Sequence, residues 1–363
     1  MTAPHGKTFQ TPSLIGCEIT GIGAFAPETI LTNDDLSQLV DTSDEWIQTR
    51  TGIKQRHVVS GDQTVAELAI KAAQDALACS GIPGDEIDLV IAASSTPDAI
   101  YPGTSCQVQH AIGATHAAGF DMALACTGFM SAMITARQFI QTGAARNAMV
   151  VASDIHSRFV DWSDRSTCIL FGDAAGAAVL SASDKDSFLS YEMRLDGSKG
   201  HELRMGTYLS NCPLVTQRTP AQEVVYLKMN GKEVFKFAVG VVPHSIERAL
   251  EKAGLKPGDI DHYVLHQANK RIMDAMAERL DVDADRMVMN LDRYGNTSAA
   301  SIPLALKEAS QEGRILPGQK LVLCGFGAGL AWTTAIIDWS VVDQRSASAK
   351  QIQKQTAECL EAH

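Results

Sequence analysis

The sequence predicts a layered α/β fold made of two similar halves, and three features of the chain support this prediction. Segments with helical spacing of apolar residues alternate with short, continuously apolar segments, which is typical of helices that cover buried strands. The same order of segments recurs in the second part of the chain. A composition of 45% hydrophobic and 20% charged residues over 363 positions is enough to bury a sizeable core.

Each predicted helix of the first half ends at a glycine, and each predicted strand is a continuous apolar run. These elements are helices over 64–82 and 125–143 and strands over 87–96 and 147–154. The matching elements of the second half are helices over 242–255 and 296–313 and strands over 260–269 and 320–329. The polar segment 181–230 is predicted to hold the connection between the halves and surface loops.

The similarity of the halves is clearest in "GIPGDEIDLVIAAS" and "GLKPGDIDHYVLHQ". Both run from a helix end through Gly, Pro, Gly and an acid to Ile-Asp and an apolar strand. Cys126 lies 38 residues after Asp88 (126 − 88), and position 299, equally far after Asp261, falls at the start of the helix that begins near Asn296. An internal duplication is therefore predicted. The alternative is chance, since any α/β protein offers some matches of this kind.

The predicted boundaries are residues 15–182 for the first half and 183–340 for the second half with its connecting segment. Residues 341–363 form a polar tail, either frayed or a short surface helix.

Charge and hydropathy exclude several classes of protein. The formal net charge is −11, which argues against general nucleic-acid binding, because that needs a basic surface. No run approaches 18 consecutive apolar residues, so no membrane span is expected, and the N-terminus has no apolar signal segment. The eight cysteines form no C-x-x-C pair, so metal and redox motifs are not expected. Free thiols in a reducing cytoplasm are the expected state.

The stretch "FDMALACTGFM" (120–130) contains Cys126 at the predicted start of a helix. The positive end of a helix dipole favours a thiolate, which is a nucleophile for acyl transfer. The small neighbours Ala125, Thr127 and Gly128 would let a substrate approach. Free cysteines are also among the most buried residues, so a core role is the alternative.

Two polar residues of the second half strengthen the catalytic interpretation. His266 follows a predicted strand, where open α/β sheets usually place groups that handle ligands, although most histidines need no such role. Asn296 lies in "RYGNTSAAS", where a turn and a helix N-cap are the plain alternative. If the duplication holds, both residues converge with Cys126 between the halves. A cysteine with two neutral hydrogen-bond donors suits an oxyanion that develops on a thioester carbonyl.

Several long motifs in order show that the chain resembles β-ketoacyl-acyl-carrier-protein synthase III, of the thiolase-fold condensing enzymes, over about residues 15–340. They are "DTSDEWIQTRTGIKQRH", "ACTGF", "FGDAAGAAVL", "VLHQANKRI", "DRYGNTSAASIPLAL" and "GFGAGLAW". The resemblance implies a thiolase-like duplicated fold in five layers (α/β/α/β/α), with the active site between the halves. It also implies a cytoplasmic homodimer with no cofactor and no metal.

The resemblance implies a decarboxylating condensation that initiates fatty-acid synthesis, with Cys126, His266 and Asn296 as the catalytic triad. Cys126 would take a short acyl group, expected to be acetyl, from acyl-CoA. Nε2 of His266 and the amide of Asn296 would then stabilise the enolate formed when malonyl-acyl-carrier protein loses carbon dioxide. The backbone N–H groups of Cys126 and Ala328 would form the second oxyanion hole. The family often has glycine where Ala328 stands, but the N–H survives that change.

The resemblance also implies the substrate contacts. Trp46 and Arg165 match the residues that sandwich the CoA adenine; by its sequence alone, "DEWIQTR" reads as a short amphipathic helix with a half-buried Trp. The other predicted CoA-binding residues are Thr42, Arg50, Phe235 and Asn269. Two "GxG"-like stretches lack the spacing of a nucleotide-binding loop, so no nucleotide cofactor is expected.

Tyr101 matches the position where the partner subunit closes the acyl pocket, together with Phe326, although a loop tyrosine that merely packs on the surface is the alternative. The predicted docking patch for the acidic carrier protein is Lys236, Gln267, Lys270 and Arg271, although solvated charges at a helix start are the plain alternative.

Other functions remain open on the sequence. A related ketosynthase of secondary metabolism, with a different primer or acceptor, has the same triad. A Cys–His–Asn hydrolase is disfavoured because "ACTGF" lacks the papain-like signature. A catalytically inactive binding scaffold is disfavoured by the intact triad.

Overall fold

The computed structural model of the chain describes residues 14–206 and 225–343. Most of the predicted tail, from residue 344 on, therefore lies outside the described residues. The described strands are β1 (Gly16–Phe25), β2 (Ile30–Thr32), β3 (Gln55–His57), β4 (Leu89–Ala93), β5 (Ala118–Met122), β6 (Asn147–Asp154), β7 (Ala174–Ser183), β8 (Phe188–Leu195), β9 (Leu203–Gly206), β10 (Val225–Met229), β11 (His262–Leu265), β12 (Lys320–Gly327) and β13 (Ala331–Asp338). The described α-helices are α1 (Asn33–Ser37), α2 (Asp44–Thr51), α3 (Val65–Ser80), α4 (Thr104–Ala111), α5 (Gly128–Gln141), α6 (Arg165–Cys168), α7 (Gly231–Ala253), α8 (Lys270–Leu280), α9 (Leu291–Tyr294) and α10 (Ser301–Gln311).

Two mixed sheets form the framework, and their strand orders match. The first sheet runs β1-β7-β6-β4-β5, and the second runs β8-β13-β12-β11. In each sheet one matching pair of strands is parallel (β4 with β6, β11 with β12), and the next two pairs are antiparallel. Among the described strands, β5 of the first sheet has no counterpart in the second.

The helices lie in three layers around the sheets. Helices α5 and α10 contact strands of both sheets and form the middle layer, whereas α3 covers the outer face of the first sheet and α7 that of the second. Each helix layer packs on the sheets around a cluster of buried apolar residues. The central cluster joins α5 and α10 to both sheets. The predicted layered and duplicated α/β fold is confirmed.

The two halves share a contact made by the aspartate that precedes β4 in the first half and β11 in the second. The backbone N–H of Asp88 donates to the carbonyl of Asn147, and the N–H of Asn147 donates back to Asp88 Oδ2 at 3.0 Å. The same reciprocal pair joins Asp261 and Lys320, where the return bond is 2.7 Å. In both halves, therefore, one aspartate sets the register of two parallel strands.

The start of α7 was wrongly predicted. The helix begins at Gly231, eleven residues before the predicted start at 242, so that Pro243 lies inside it. A proline cannot donate to the carbonyl four residues back, which normally breaks a helix. Here the guanidinium of Arg279 donates to the carbonyl of Val239 at 3.0 Å, and this supplies the missing donor.

The prediction for the segment 181–230 was incomplete, because it contained no strands. Besides the connection, the segment contains β8, which is the edge strand of the second sheet, and the antiparallel pair of β9 and β10. The described part is therefore structural as well as connecting, while 207–224 lies outside the described residues.

Candidate active site

A largely apolar cavity lies where the two halves meet, and both halves contribute to it. Its polar lining includes side chains from the ends of central strands and from the starts of the middle-layer helices. The lining residues are Ser95, Ala125, Cys126, His156, Leu170, Phe171, Leu203, Arg204, Met205, Leu227, Met229, Gly231, Val234, Phe235, His266, Ala268, Asn269, Ile272, Asn296, Ser298, Phe326, Gly327 and Ala328. The cavity thus brings together the three predicted triad residues with Phe235, Asn269, Phe326 and Ala328.

Cys126 lies in a 3₁₀ turn, Ala125–Thr127, that leads directly into α5. Ala125 has a φ of 44°, a left-handed conformation that costs an alanine about 1 kcal/mol or more. Such strain is common where a turn must present a side chain to a ligand.

The chemical state of Cys126 differs from the expectation. Burial raises the pKa of the Cys126 thiol to about 12, and the Ser298 hydroxyl, whose Oγ is 3.6 Å from Sγ, acts in the opposite direction. Desolvation thus opposes the thiolate that the helix start was expected to favour, and it is the largest cause of the shift. Cys126 rests as a thiol.

The "GFGAG" turn closes on Cys126, and two of its glycines are required by space. A Cβ at Gly327 would lie 2.9 Å from Cys126 Cβ, and one at Gly325 would lie 3.1 Å from the Cys126 carbonyl oxygen. Any side chain here would push the turn away from the thiol. The next residue, Ala328, lines the cavity.

His266 follows β11 directly and is 2% exposed. Its Nδ1 lies 2.8 Å from Ser301 Oγ, which also accepts the N–H of Gln267 at 3.3 Å. The Ser301 hydroxyl can donate to Nδ1, and in the tautomer that fits this bond the imidazole proton is on Nε2. Burial lowers the pKa of His266 to about 3, and the nearby His156 acts in the same direction. His266 is thus a neutral donor at physiological pH.

Asn296 makes the turn contact expected from the sequence and also lines the cavity. Its Oδ1 accepts the N–H of Ser298 at 2.9 Å, which is a local turn bond. Its backbone is fixed by bonds to Leu170 and Gly172. Since Oδ1 is used by the turn, the donor nitrogen Nδ2 is the end of the amide that remains for a ligand in the cavity.

The residues predicted to bind CoA beyond the cavity lie on α2 and α6. Trp46 is half-buried, as predicted, and the guanidinium of Arg165 lies 4.6 Å from its ring centroid. Arg50 lies 5.7 Å from the same ring, and its carbonyl accepts a 3.2 Å bond from Asn269 Nδ2, which joins α2 to the cavity. An adenine could enter between Trp46 and Arg165 only if the arginine moved. Thr42 lies just before α2, and its Oγ1 is buried without a partner among the described residues.

The predicted docking residues differ in their surroundings. Gln267 is 1% exposed and its side-chain amide bonds to three backbone groups, so the prediction that it contacts a carrier protein is wrong. Lys236 pairs with Glu233, and Lys270 pairs with Asp274. Arg271 is exposed, and no ion pair of its guanidinium is found among the described residues. It therefore remains the best-placed cation of the set.

Tyr101 does not line the cavity of its own chain and is 85% exposed. An exposed side chain at this position is available to a partner subunit. Its role in closing the partner's acyl pocket stays a prediction.

Four residues of the site were not found from the sequence: Ser298, Ser301, Ser95 and His156. Ser298 and Ser301 support Cys126 and His266 through hydrogen bonds that only the fold reveals. The run "NTSAAS" itself, with its three small hydroxyl residues beside Asn296, was the available signal.

Within 14–206 and 225–343 there is no cluster of three or more metal-ligating side chains, and no helix there is long and apolar enough to cross a membrane.

Two parts of the chain match the sequence model of one family. Residues 120–197 match 3-oxoacyl-[acyl-carrier-protein] synthase III, and residues 250–339 match its C-terminal domain. Beta-ketoacyl-[acyl-carrier-protein] synthase III of Acaryochloris marina is 49% identical, over 89% of this chain and 98% of the relative.

Solved structures give the same result. The crystal structure of 3-oxoacyl-[acyl-carrier-protein] synthase III from Aquifex aeolicus is 40% identical, with a TM-score of 0.83, and the match covers 89% of this chain and all of that one (100%). The priming beta-ketosynthase of the R1128 polyketide pathway is 34% identical, with a TM-score of 0.85 over 92% of this chain and 99% of that one.

Proposed function

The chain belongs to the β-ketoacyl-[acyl-carrier-protein] synthase III family of condensing enzymes, and we propose that it condenses a short acyl-CoA with malonyl-acyl-carrier protein. The product is a 3-oxoacyl-acyl-carrier protein, and the reaction initiates fatty-acid synthesis. The observation that carries this proposal is the donor set of the cavity. A buried thiol, a neutral imidazole and an amide nitrogen meet there, and no lining residue of the described chain is Asp or Glu.

The first half-reaction transfers the acyl group to sulfur. Cys126 attacks the thioester carbonyl, the bond to the CoA sulfur breaks, and the thiol proton leaves with CoA as its thiol. Because Cys126 rests protonated, the proton departs as the new bond forms. The N–H groups of Cys126 and Ala328 would bind the oxyanion.

The second half-reaction needs donors but no carboxylate base. Loss of carbon dioxide from the malonyl group leaves its electron pair on an enolate. Nε2–H of His266 and Nδ2–H of Asn296 are suited to bind the enolate oxygen. The carbanion attacks the acyl carbon, the bond to Cys126 breaks, and the thiolate takes up one proton.

A related ketosynthase of polyketide synthesis is the other candidate within the family. The beta-ketoacyl-[acyl-carrier-protein] synthase III of Acaryochloris marina is 49% identical to this chain, whereas the priming polyketide enzyme is 34% identical. This difference favours the first function.

The proposed CoA contacts beyond the cavity lie on α2 and α6, where CoA would place its adenine at Trp46 and Arg165 and its phosphates near Arg50. Within the cavity, pantetheine would pass Phe235 and Asn269. Carrier protein would dock near Arg271. A reducing cytoplasm is the proposed location, since it would keep the Cys126 thiol reduced.

We also propose a homodimer that forms along β5. Within the described chain this strand pairs with β4 alone, and its residues are mostly exposed. Asp121 of β5 accepts the N–H groups of Thr104 and Ser105, which holds the loop of Tyr101 beside this free edge. Pairing of two β5 edges would bring each Tyr101 towards the partner's site.

The proposed function is tested by incubation with acetyl-CoA and malonyl-acyl-carrier protein, followed by mass spectrometry of the carrier. Acetoacetyl-carrier protein is the expected product, and Cys126→Ser is the matched control that should form none. If the folded protein forms no 3-oxoacyl product from any short acyl-CoA, the proposal is wrong.

The dimer is tested by light scattering, which should give a mass near twice 38.9 kDa. Tyr101→Ala should broaden the accepted acyl-CoA chain length, since a bulky closing side chain is lost. A monomer with full activity would contradict both expectations.

A further inference from the structure

The end of the cavity next to the first sheet is polar, although its surroundings are apolar. Ser95 follows β4 and His156 follows β6, and both line the cavity with Leu170 and Phe171. Other lining residues come from β9, β10, α7 and α8, among them Phe235 and Asn269, which the proposed function assigns to pantetheine. Cys126 lines the same cavity, and an acyl group on its sulfur that points away from the pantetheine residues would extend towards Ser95 and His156.

The two polar residues are held beside each other by the end of β6. Asp154 Oδ1 accepts the N–H of Ser95 at 2.7 Å, and Thr96 Oγ1 accepts the N–H of Ile155 at 2.8 Å. These bonds fix the segment after β4 against the turn that contains His156. The polar end is therefore a built part of the site.

His156 is buried and lacks a hydrogen-bond partner. It is 4% exposed, and its Nδ1 is fully covered without a partner among the described residues. Its ring stacks on Phe171 with a centroid distance of 5.1 Å and an angle of 16° between the planes, which limits how the ring can turn. A buried polar atom left unpaired destabilises the fold and is rare in native proteins, so such an atom is expected to have a function.

From these observations we infer that His156, with Ser95, selects a short acyl primer that carries a hydrogen-bonding oxygen, such as a hydroxyl or oxo group. This inference rests on the proposed condensation. Because Nδ1 is covered, the oxygen of the acyl chain would bond to Nε2 of the imidazole and to the Ser95 hydroxyl, while Leu170 and Phe171 contact its carbons. A site that bonds a substrate oxygen rejects the analogue without it, whereas an apolar pocket discriminates weakly.

The inference is tested with acyl-CoA primers of one chain length: butyryl-CoA, 3-hydroxybutyryl-CoA and acetoacetyl-CoA. The measured quantity is kcat/KM for acylation of Cys126, expressed as the ratio of each oxygenated primer to butyryl-CoA. We expect the wild type to favour at least one oxygenated primer, and His156→Leu to lower that ratio tenfold or more. The better oxygenated primer tells whether a hydroxyl or an oxo group is bound.

Two further variants separate selection from a merely structural role. His156→Gln keeps a hydrogen-bonding group and should retain much of the ratio, and Ser95→Ala should lower it less than His156→Leu does. If His156 only packs on Phe171, His156→Leu would change thermal stability but leave the ratio unchanged, and this would overturn the inference. A wild type that prefers butyryl-CoA tenfold over both oxygenated primers would overturn it too.

The outcome is distinguishable from failure of the proposed function. If acetyl-CoA and malonyl-acyl-carrier protein give product while the primer ratios contradict the expectation, only the role of His156 is wrong. If no acyl-CoA acylates Cys126 at all, the condensation itself is wrong.

Discussion

The start of α5 and the start of α10 have the same backbone but different chemistry. Each helix is preceded by a 3₁₀ turn whose first residue has a left-handed φ, 44° at Ala125 and 52° at Ser298. The second residue of the turn is Cys126 in the first half and Ala299 in the second. Only the first half therefore has a thiol at this position, although the turn before the helix has the same geometry in both halves.

The two side-chain hydrogen-bond donors of the site lie in the second half instead. By the same correspondence, His266 and Asn296 of the second half stand where the first half has Ala93 and Ala123. Duplication thus supplies two equal frameworks around one cavity, and we propose that each half has kept one part of the chemistry: the nucleophile in the first and the enolate donors in the second. The predictions below test this division.

The largest effect is expected from removal of the nucleophile. Cys126→Ser should lose condensation by about 10³-fold or more, because a hydroxyl is far less ionised than a thiol. Adding Ala299→Cys to this variant should not restore activity, since Ala299 is buried and does not line the cavity. Product formation is measured on the carrier protein, and recovery of activity in the double variant would contradict the division between the halves.

Loss of a second-half donor should separate the two half-reactions. His266→Ala and Asn296→Ala should still acylate Cys126, but malonyl decarboxylation should fall about 10²–10³-fold, since each lacks one donor. Acyl-enzyme is followed by mass spectrometry and decarboxylation by release of carbon dioxide.

Asn296→Asp is the matched control for the turn. It keeps an oxygen that can accept the Ser298 N–H but has no amide donor, so it should resemble Asn296→Ala in decarboxylation. Equal loss of both half-reactions in Asn296→Ala, with near-normal decarboxylation in Asn296→Asp, would instead assign Asn296 to the turn alone.

The two halves should also differ in pH dependence. The raised pKa of Cys126, about 12, means that its thiolate fraction increases about tenfold per pH unit below that value. Alkylation of Cys126 by iodoacetamide should therefore rise from pH 6 to 9 without a plateau, with Cys126→Ser as the control for other thiols. Because the pKa of His266 is lowered to about 3, it stays neutral over this range and should add no pH dependence to decarboxylation. A plateau of alkylation below pH 8 would contradict the buried thiol.

The smallest effect is expected at the surface of the second half. Arg271→Glu should weaken use of malonyl-acyl-carrier protein several-fold, because a charge reversal opposes the acidic carrier in a chain of net charge −11. Added salt should reduce the difference from the wild type, while acylation by acyl-CoA should change little. Lys252→Glu, a reversal on α7 away from the cavity, is the control. Unchanged carrier kinetics at low ionic strength would place docking elsewhere.

Much of the framework could be predicted from the sequence, because the two halves repeat one pattern. The spacing from Asp88 to Cys126 matched that from Asp261 to position 299, and the structure places both at the same point of equivalent turns. The first eleven residues of α7 were missed, and the helix continues through Pro243 because a distant arginine, Arg279, donates to the carbonyl that the proline leaves free.

The site was predictable in its residue types but not in its electrostatics. Motifs located Cys126, His266 and Asn296, yet burial, which decides that Cys126 is a thiol, depends on contacts distant in the chain. Burial also removes Gln267 from the surface. His156 was missed because it lies in none of the motifs used in the sequence analysis. The structure distinguishes it by its buried Nδ1, which has no hydrogen-bond partner among the described residues.

The central claim is that Cys126 of the first half holds the acyl group while the second half generates the carbanion. A pulse of acetyl-CoA followed by a chase with malonyl-acyl-carrier protein, read by peptide mass spectrometry, tests it most directly. The account predicts an acetyl group on the peptide that contains Cys126, which the chase transfers to carrier protein in the wild type but leaves in place in Asn296→Ala. Acetylation of any other cysteine, or a product that forms while the acetyl group stays on Cys126, would contradict it.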